Sequence, residues 1–278
     1  MNLFEKIIES LRVQMEKPVP YGNFHLISLL VSVLLIIVIC LTKNKKSERS
    51  LRFALGTYGF VSLVFEIIKQ LLFSTTYDAT TNTMIWDFQW YAFPFQFCST
   101  PMYSACIACF LKDSKIRRAL IGYLSFFTIL GGLMVMLVPT TIYTSDAMIN
   151  LHTTILHAGG LVLSLFLLIH GHVKLEYKSV LNGLIVFGIC LAIANILNIS
   201  IFKSGVLNGE TFDMFFISPY FTNDMPVFSL IEKYVSPNLY IALYGVAFLL
   251  GSTIVYFISY GISTIYSKLS KFKLSHAF

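Results

Sequence analysis

Apolar residues recur along the chain in seven long stretches that are separated by short polar segments. The stretches cover about residues 24 to 42, 51 to 73, 91 to 111, 119 to 138, 151 to 170, 179 to 201 and 238 to 260. Each is close to the roughly 20 residues that a helix needs to cross a bilayer. The pattern predicts an all-α, polytopic membrane bundle of seven transmembrane helices, which occupies residues 24–262.

Two shorter segments flank this predicted bundle. In residues 1–23, Phe4, Ile7, Ile8 and Leu11 recur at helical spacing between charged residues, which predicts an interfacial helix on the outer membrane surface. Residues 263–278 contain three Lys and form a predicted cytoplasmic basic tail.

Composition supports the membrane class. Hydrophobic residues make up 56% of the 278 residues, charged residues 12%, and the mean hydropathy is +0.74. Soluble domains carry about 25% charged residues. An ordinary soluble domain is therefore excluded.

The distribution of Lys and Arg predicts the orientation of the bundle. The loops on the side of the C-terminus carry fourteen Lys and Arg, and the loops on the side of the N-terminus carry five. Positive charge is retained on the cytoplasmic side, so we expect the N-terminus outside and the C-terminus inside. The net charge of +6 then reflects topology and attraction to anionic lipid. Nucleic-acid binding is not expected, because no basic run is interleaved with aromatic residues.

The most promising chemistry lies at the start of the third apolar stretch, around Cys98. All five cysteines fall within predicted spans, so no disulfide framework is expected. Pro94 and Pro101 lie seven residues apart on either side of Cys98, which predicts an irregular helix entry. Irregular backbone at membrane depth requires a covering of protein or a watery cavity.

Span two contains Glu66 and Lys69, which are three residues apart and therefore lie on one helix face. Charges in a membrane are costly, so both side chains should face the interior of the bundle. They form either a local ion pair, with Lys69 reaching toward the interface, or part of a functional site.

Four helices place polar groups in one layer below the outer boundary. With about 1.5 Å of rise per residue, Cys98, Glu66, His157 and Asn195 lie roughly 9 to 10 Å deep. A thiol needs a base or a positive charge to react, so His157 is the candidate base for a Cys98 nucleophile.

Further residues have candidate supporting roles at this level. Lys69 could favour the thiolate, Asn195 or Gln96 could donate to an oxyanion, and His152 would add to the polar cavity. The alternative is a buried Cys and a hydrogen-bonded His that never meet.

A second arrangement lies near the inner ends of spans three and five. Cys106 and Cys109 form a C-x-x-C pair, and His170 and His172 supply two more potential soft-metal ligands. Both pairs are weak signals, because a redox C-x-x-C normally begins a helix. No metal and no cofactor are predicted.

The loop of residues 202–237 is long for a compact membrane protein, as lids and binding loops often are. We expect it to fold back over the outer end of the bundle, because it contains eight aromatic residues: Phe202, Phe212, Phe215, Phe216, Tyr220, Phe221, Phe228 and Tyr234.

The order of several short motifs resembles the YwaF-like bacterial membrane proteins, a family similar to eukaryotic transmembrane protein 164. The motifs are Pro94-x-x-x-Cys98, His152-x-x-x-x-His157, Asn195, Phe212-Asp213-Met-Phe-Phe-Ile-Ser-Pro219 and Pro226-Val-Phe-Ser-Leu, within residues 50 to 260.

This resemblance implies a multi-pass bacterial membrane enzyme that transfers or hydrolyses lipid acyl groups, with Cys98 as nucleophile and His157 as base. Membrane phospholipid is the implied partner. Gln96 stands where the family usually has His, which implies that a second proton carrier is missing here. Asp213 stands where the family usually has Asn, which implies a different contact to the lipid headgroup. A transporter or ligand-sensing bundle is the alternative, and the oligomeric state stays open.

Overall fold

The chain forms a helical bundle with one small hairpin. A computed structural model describes residues 2–42, 46–139, 142–222, 225 and 228–275. Within them lie helices α1 Leu3–Leu11, α2 Asn23–Leu41, α3 Glu48–Phe73, α4 Thr100–Phe110, α5 Lys115–Phe126, α6 Thr128–Leu137, α7 Ala147–Ile169, α8 Tyr177–Ser204, α9 Phe228–Glu232 and α10 Pro237–Ser275. Strands β1 Thr75–Asp78 and β2 Thr83–Trp86 pair antiparallel, and 3-10 turns cover Trp90–Ala92 and Met214–Phe216.

Six helical segments of the described residues are long and apolar enough to cross a membrane: Asn23–Leu41, Glu48–Phe73, Lys115–Leu137, Ala147–Ile169, Tyr177–Ser204 and Pro237–Leu269. The protein is therefore a multi-pass, all-α membrane protein, as predicted.

The predicted span at 91 to 111 differs from the other six. Its helix, α4, has only 11 residues, or about 16 Å at 1.5 Å per residue, whereas a bilayer core is about 30 Å thick. Pro101 lies in the first turn of α4, where proline is tolerated, and the chain before it is not helical.

Two other predicted segments differ in their boundaries. The predicted span at 119 to 138 consists of α5 and α6, which are joined at Phe127. Helix α10 continues to Ser275, so the described part of the predicted basic tail prolongs that helix.

Close contacts between helices occur at glycines. A Cβ on Gly122 of α5 would lie 2.4 Å from the carbonyl oxygen of Ser179 on α8, and a Cβ on Gly59 of α3 would lie 2.8 Å from Sγ of Cys106 on α4. Small residues allow backbones to approach in a membrane, where van der Waals packing drives helix association. These contacts hold α4 against α3 and α5 against α8.

Helix α1, the β1–β2 hairpin and the described residues of the loop between α8 and α10 share one end of the bundle, which we call the hairpin end. A helix is present where the interfacial helix was predicted, with Asn2 and Glu5 forming a capping box. Its Ile8 is buried against Leu72 and Met84, whereas Phe4 is half-exposed. The amphipathic pattern thus anchors one face of α1 and leaves the other open.

The described part of the aromatic loop folds back against the bundle. Phe212, Met214 and Phe215 are fully buried, although Tyr234 stays 87% exposed. Pro226 and Val227 of the quoted motif, and Lys43 and Lys45 of the charge count, lie outside the described residues.

Candidate functional site

Cys98 lies in a non-helical segment, residues 93–99, between the 3-10 turn and α4. This confirms the predicted irregular entry. The Tyr103 hydroxyl donates to the carbonyl of Pro94 at 2.8 Å, which satisfies a backbone oxygen that the broken helix leaves open. Cys98 itself is partly buried against the main hydrophobic core.

A buried carboxylate, Glu66 of α3, forms the centre of a polar cluster. Its Oε2 lies 2.8 Å from Nε2 of His152 on α7, and its Oε1 lies 2.6 Å from Nζ of Lys69. Oε1 also accepts a 2.9 Å hydrogen bond from Nε2 of Gln70, which donates in addition to the carbonyl of Ala92 at 2.6 Å. Glu66 is 2% exposed, so both of its oxygens are compensated within the protein.

This cluster joins three separate segments of the chain. The Glu66–Lys69 pair on one helix face is confirmed, and Lys69 stays largely buried instead of reaching water. Cys98 lies within electrostatic reach of both Lys69 and Glu66. The structure therefore brings His152 onto a buried ion pair, and the Cys98 thiol lies within electrostatic reach of that pair.

His157 faces a different neighbour from His152. Five residues along a helix turn the side-chain direction by about 500°, or about 140° beyond one full turn. Accordingly His152 meets Glu66 on α3, whereas His157 lies against α6, beside the backbone of Gly131.

The double glycine of α6 lies between the segment that contains Cys98 and the backbone of α7 at His157. A Cβ on Gly131 would lie 2.9 Å from the Phe97 ring, next to Cys98, and a Cβ on Gly132 would lie 2.8 Å from the carbonyl oxygen of His157. The Phe97 ring and the His157 backbone thus pack against neighbouring residues of α6, and among the described residues no hydrogen bond joins the Cys98 thiol to the His157 ring.

Tyr58 is a polar core residue that the sequence analysis missed. Its hydroxyl donates to the carbonyl of Leu156 at 3.2 Å, its ring lies against Gly159 and Gly160, and it is within electrostatic reach of Cys98. The signal was the recurrence of polar residues every four positions along α3, at 58, 62 and 66.

Gln96 and Asn198 hold the loop at the hairpin end. Gln96 Nε2 donates to the carbonyl of Asp213 at 2.8 Å, and Gln96 Oε1 accepts from the backbone N–H of Phe215 at 2.8 Å. Asn198 Oδ1 accepts from the N–H of Met214 at 2.8 Å, and Asn198 Nδ2 donates to the carbonyl of Met214 at 3.0 Å. Gln96, a predicted oxyanion donor, therefore binds the loop.

Asn195, the predicted amide of this layer, lies one turn from Asn198 along α8 and is half-buried. The described hydrogen bonds to the loop come from Asn198. Spacing alone could not distinguish the two, because both fall in the same part of an apolar helix.

Asp213 is partly buried in the loop, where its Oδ1 accepts the N–H of Ser218 at 2.7 Å. Burial raises the pKa of Asp213 to about 7, and the charge of Glu232 acts in the same direction. Tyr244 of α10 also lies within electrostatic reach of Asp213. Asp213 therefore titrates near neutral pH.

The C-x-x-C pair and the two histidines at the opposite end make separate contacts. The sulfurs of Cys106 and Cys109 pack on Gly59 and Gly56 of α3, whereas His170 Nε2 lies 3.1 Å from the carbonyl of Ile39. Across the described ranges, no group of three or more His, Cys, Asp or Glu side chains could hold a metal ion.

Comparison with known proteins identifies one family. The TMEM164 family model matches residues 20–261. No curated protein and no solved structure matches the chain.

Proposed function

Because the chain belongs to the TMEM164 family, we propose that it is a membrane enzyme that transfers or hydrolyses acyl groups of phospholipids, with Cys98 as nucleophile and His157 as general base. Family membership confirms the expected likeness to transmembrane protein 164. The narrower YwaF-like grouping, the activity and the site are part of the proposal.

The observation that carries the proposal is the environment of Cys98. A thiol surrounded only by apolar groups stays protonated and unreactive. Cys98 instead lies on broken backbone within electrostatic reach of Lys69, a cation held in place by Glu66. His157 and the Cys98 segment also pack against adjacent glycines of α6. The nearby cation is the feature of this environment that supports a nucleophilic role for Cys98.

In the proposed reaction, His157 takes the proton of Cys98 and the sulfur attacks the ester carbonyl of a lipid. A C–S bond forms, the ester C–O bond breaks, and the protonated His157 returns its proton to the departing hydroxyl. Water or another hydroxyl then attacks the thioester and breaks the C–S bond, which restores the thiol. Asn195 would stabilise the oxyanion, and Lys69 would favour the thiolate.

The proposed topology places this chemistry in the outer leaflet of a bacterial cell membrane. It counts the short helix α4, with the irregular segment before it, as the seventh crossing. Positively charged loops then keep the C-terminus inside. The hairpin end would face outward, and the substrate would be an outer-leaflet phospholipid.

A transporter or ligand-sensing bundle is the second candidate. The buried cluster of Glu66, Lys69 and His152 favours it, because ionisable groups inside a membrane often mark solute or proton pathways. Such a protein would use these charges without needing the Cys98 thiol. Replacing that sulfur therefore separates the two functions.

The experiment compares Cys98→Ser and Cys98→Ala with a matched control, Cys40→Ser, in purified full-length chain. Cys40 is exposed on α2. Mixed micelles would contain a phospholipid with a fluorescent acyl chain, and intact-protein mass spectrometry would detect an acyl adduct that hydroxylamine removes.

We expect both Cys98 variants to lose turnover and the adduct at an unchanged melting temperature, and Cys40→Ser to keep both. Full turnover in folded Cys98→Ala would overturn the proposal.

A further inference from the structure

The segment Phe212–Ser218 is attached to the bundle by its backbone. Four hydrogen bonds from Gln96 and Asn198 hold residues 213 to 215, and the Tyr240 hydroxyl donates to the carbonyl of Phe216 at 3.1 Å. The three holding residues come from the Cys98 segment, α8 and α10. These side chains thus bind the loop at defined points, and one of them, Gln96, lies two residues before Cys98.

Two aromatic side chains of the segment pack on phenylalanines of residues 93–97, which directly precede Cys98 in the chain. Phe215 is fully buried, with its ring centroid 6.1 Å from that of Phe95 and 5.9 Å from that of Phe97. Phe212 is fully buried, with its centroid 5.4 Å from that of Phe93. The loop therefore covers an apolar surface of three phenylalanines beside the thiol.

The backbone of the segment is strained where it covers the site. Phe215 and Phe216 have φ of 61° and 58°, in the left-handed region that costs free energy for any residue with a Cβ. Such conformations persist only when surrounding contacts impose them. Removing the hydrogen bonds of Gln96 or Asn198 should therefore release the segment.

We propose that Phe212–Ser218 is a lid, and that Phe93, Phe95 and Phe97 beneath it form the site for the acyl chain of the lipid. Phe212 and Phe215 occupy this surface when the lid is closed, and the chain replaces them when it opens. An aromatic surface provides apolar contact area for an acyl chain but no partner for a charged headgroup. This inference rests on the proposed function, because it assigns the substrate to the Cys98 site.

The test measures alkylation of Cys98 in the full chain by iodoacetamide, read at the peptide level by mass spectrometry with exposed Cys40 as internal reference. We expect Asn198→Ala and Gln96→Ala each to speed Cys98 alkylation about tenfold, which corresponds to about 1.4 kcal/mol. The matched control is Gln89→Ala, because the hydrogen bonds of the Gln89 side chain within the described residues go to Asp87. Gln89→Ala should keep the rate of Cys98 alkylation within about twofold of the native rate.

A variant with the opposite sign distinguishes lid opening from loss of fold. Phe216→Gly relieves the strain of a left-handed residue, so it should close the lid more firmly and slow Cys98 alkylation at least about twofold. Unfolding could only accelerate the reaction. Unchanged rates in Asn198→Ala and Gln96→Ala, or faster alkylation in Phe216→Gly, would overturn the lid.

The ligand is tested with two photoreactive phospholipids, one with the diazirine in the acyl chain and one with it in the headgroup. The acyl-chain probe should label the peptide of residues 90–97 more strongly in Asn198→Ala than in the native chain. Stronger labelling by the headgroup probe would contradict the assignment. None of these readouts requires turnover, so an inactive protein with a working lid would refute only the proposed function.

Discussion

Replacing Glu66 with Gln tests whether the buried cluster organises the bundle. The change preserves the shape of the side chain but removes its charge, so Lys69 becomes an unpaired cation at a site where its side chain is only 12% exposed. His152 and Gln70 lose a charged acceptor at 2.8 and 2.9 Å.

The expected loss is large. Breaking a buried pair by removing one partner costs about 3 to 5 kcal/mol, more than an ordinary neutral hydrogen bond provides. At roughly 2 °C or more per kcal/mol in a chain of this size, Glu66→Gln should lower the melting temperature by at least about 6 °C. Tryptophan fluorescence of the full chain in detergent micelles measures this change in melting temperature.

Two further variants complete the test. Glu66→Gln combined with Lys69→Met removes both charges and should recover more than half of the loss, because paired removal avoids the buried cation. The control is Asp113→Asn, which breaks an exposed pair with Arg118 and should lower the melting temperature far less than Glu66→Gln does. A double variant no more stable than Glu66→Gln would refute the electrostatic explanation, as would Glu66→Gln melting within about 2 °C of the native chain.

Three shorter predictions follow from other contacts. Because burial raises the pKa of Asp213 to about 7, the closed lid keeps a proton that an open, solvated Asp213 releases above about pH 4. Raising the pH from about 4 to about 7 should therefore favour opening of the lid. The rate of Cys98 alkylation in the native chain, divided by the rate in Asp213→Asn, should increase over this range. A constant ratio would contradict this prediction. Gly132→Ala places a Cβ 2.8 Å from the His157 carbonyl oxygen and should reduce both the melting temperature and acyl turnover, whereas Gly188→Ala meets open space and should reduce neither. His157→Ala should abolish the acyl adduct in a folded protein; an undiminished adduct would exclude His157 as the base.

Much of the architecture follows from hydrophobic patterning, because a bilayer requires long apolar helices with satisfied backbones. The pairing of Glu66 with Lys69 was predictable from their spacing on one helix. The break at Phe127 carried no proline or glycine signal, so periodicity joined α5 and α6 into one span. Pro101 explains why α4 begins late and is short. Its spacing from Pro94 predicted an irregular helix entry but not a helix of only 11 residues.

The site was harder to predict than the spans. Helical periodicity fixes the angle between His152 and His157, but the rotation of α7 in the bundle decides which of them meets Glu66. The hydrogen bonds that hold the loop could not be predicted from the sequence either. Gln96 and Phe215 are 119 residues apart, and the spacing along α8 does not distinguish Asn195 from Asn198. Such contacts depend on tertiary packing, which local patterns do not encode.

The non-helical entry at residues 93–99 limits how the site could be engineered. Side chains from elsewhere satisfy the backbone oxygens around it, since Gln70 donates to Ala92 and Tyr103 donates to Pro94. A graft of this peptide into another helical scaffold would leave those carbonyls unpaired in hydrocarbon, at a cost of several kcal/mol each. A designer who wants to transplant the thiol must therefore carry over the surrounding donors as well.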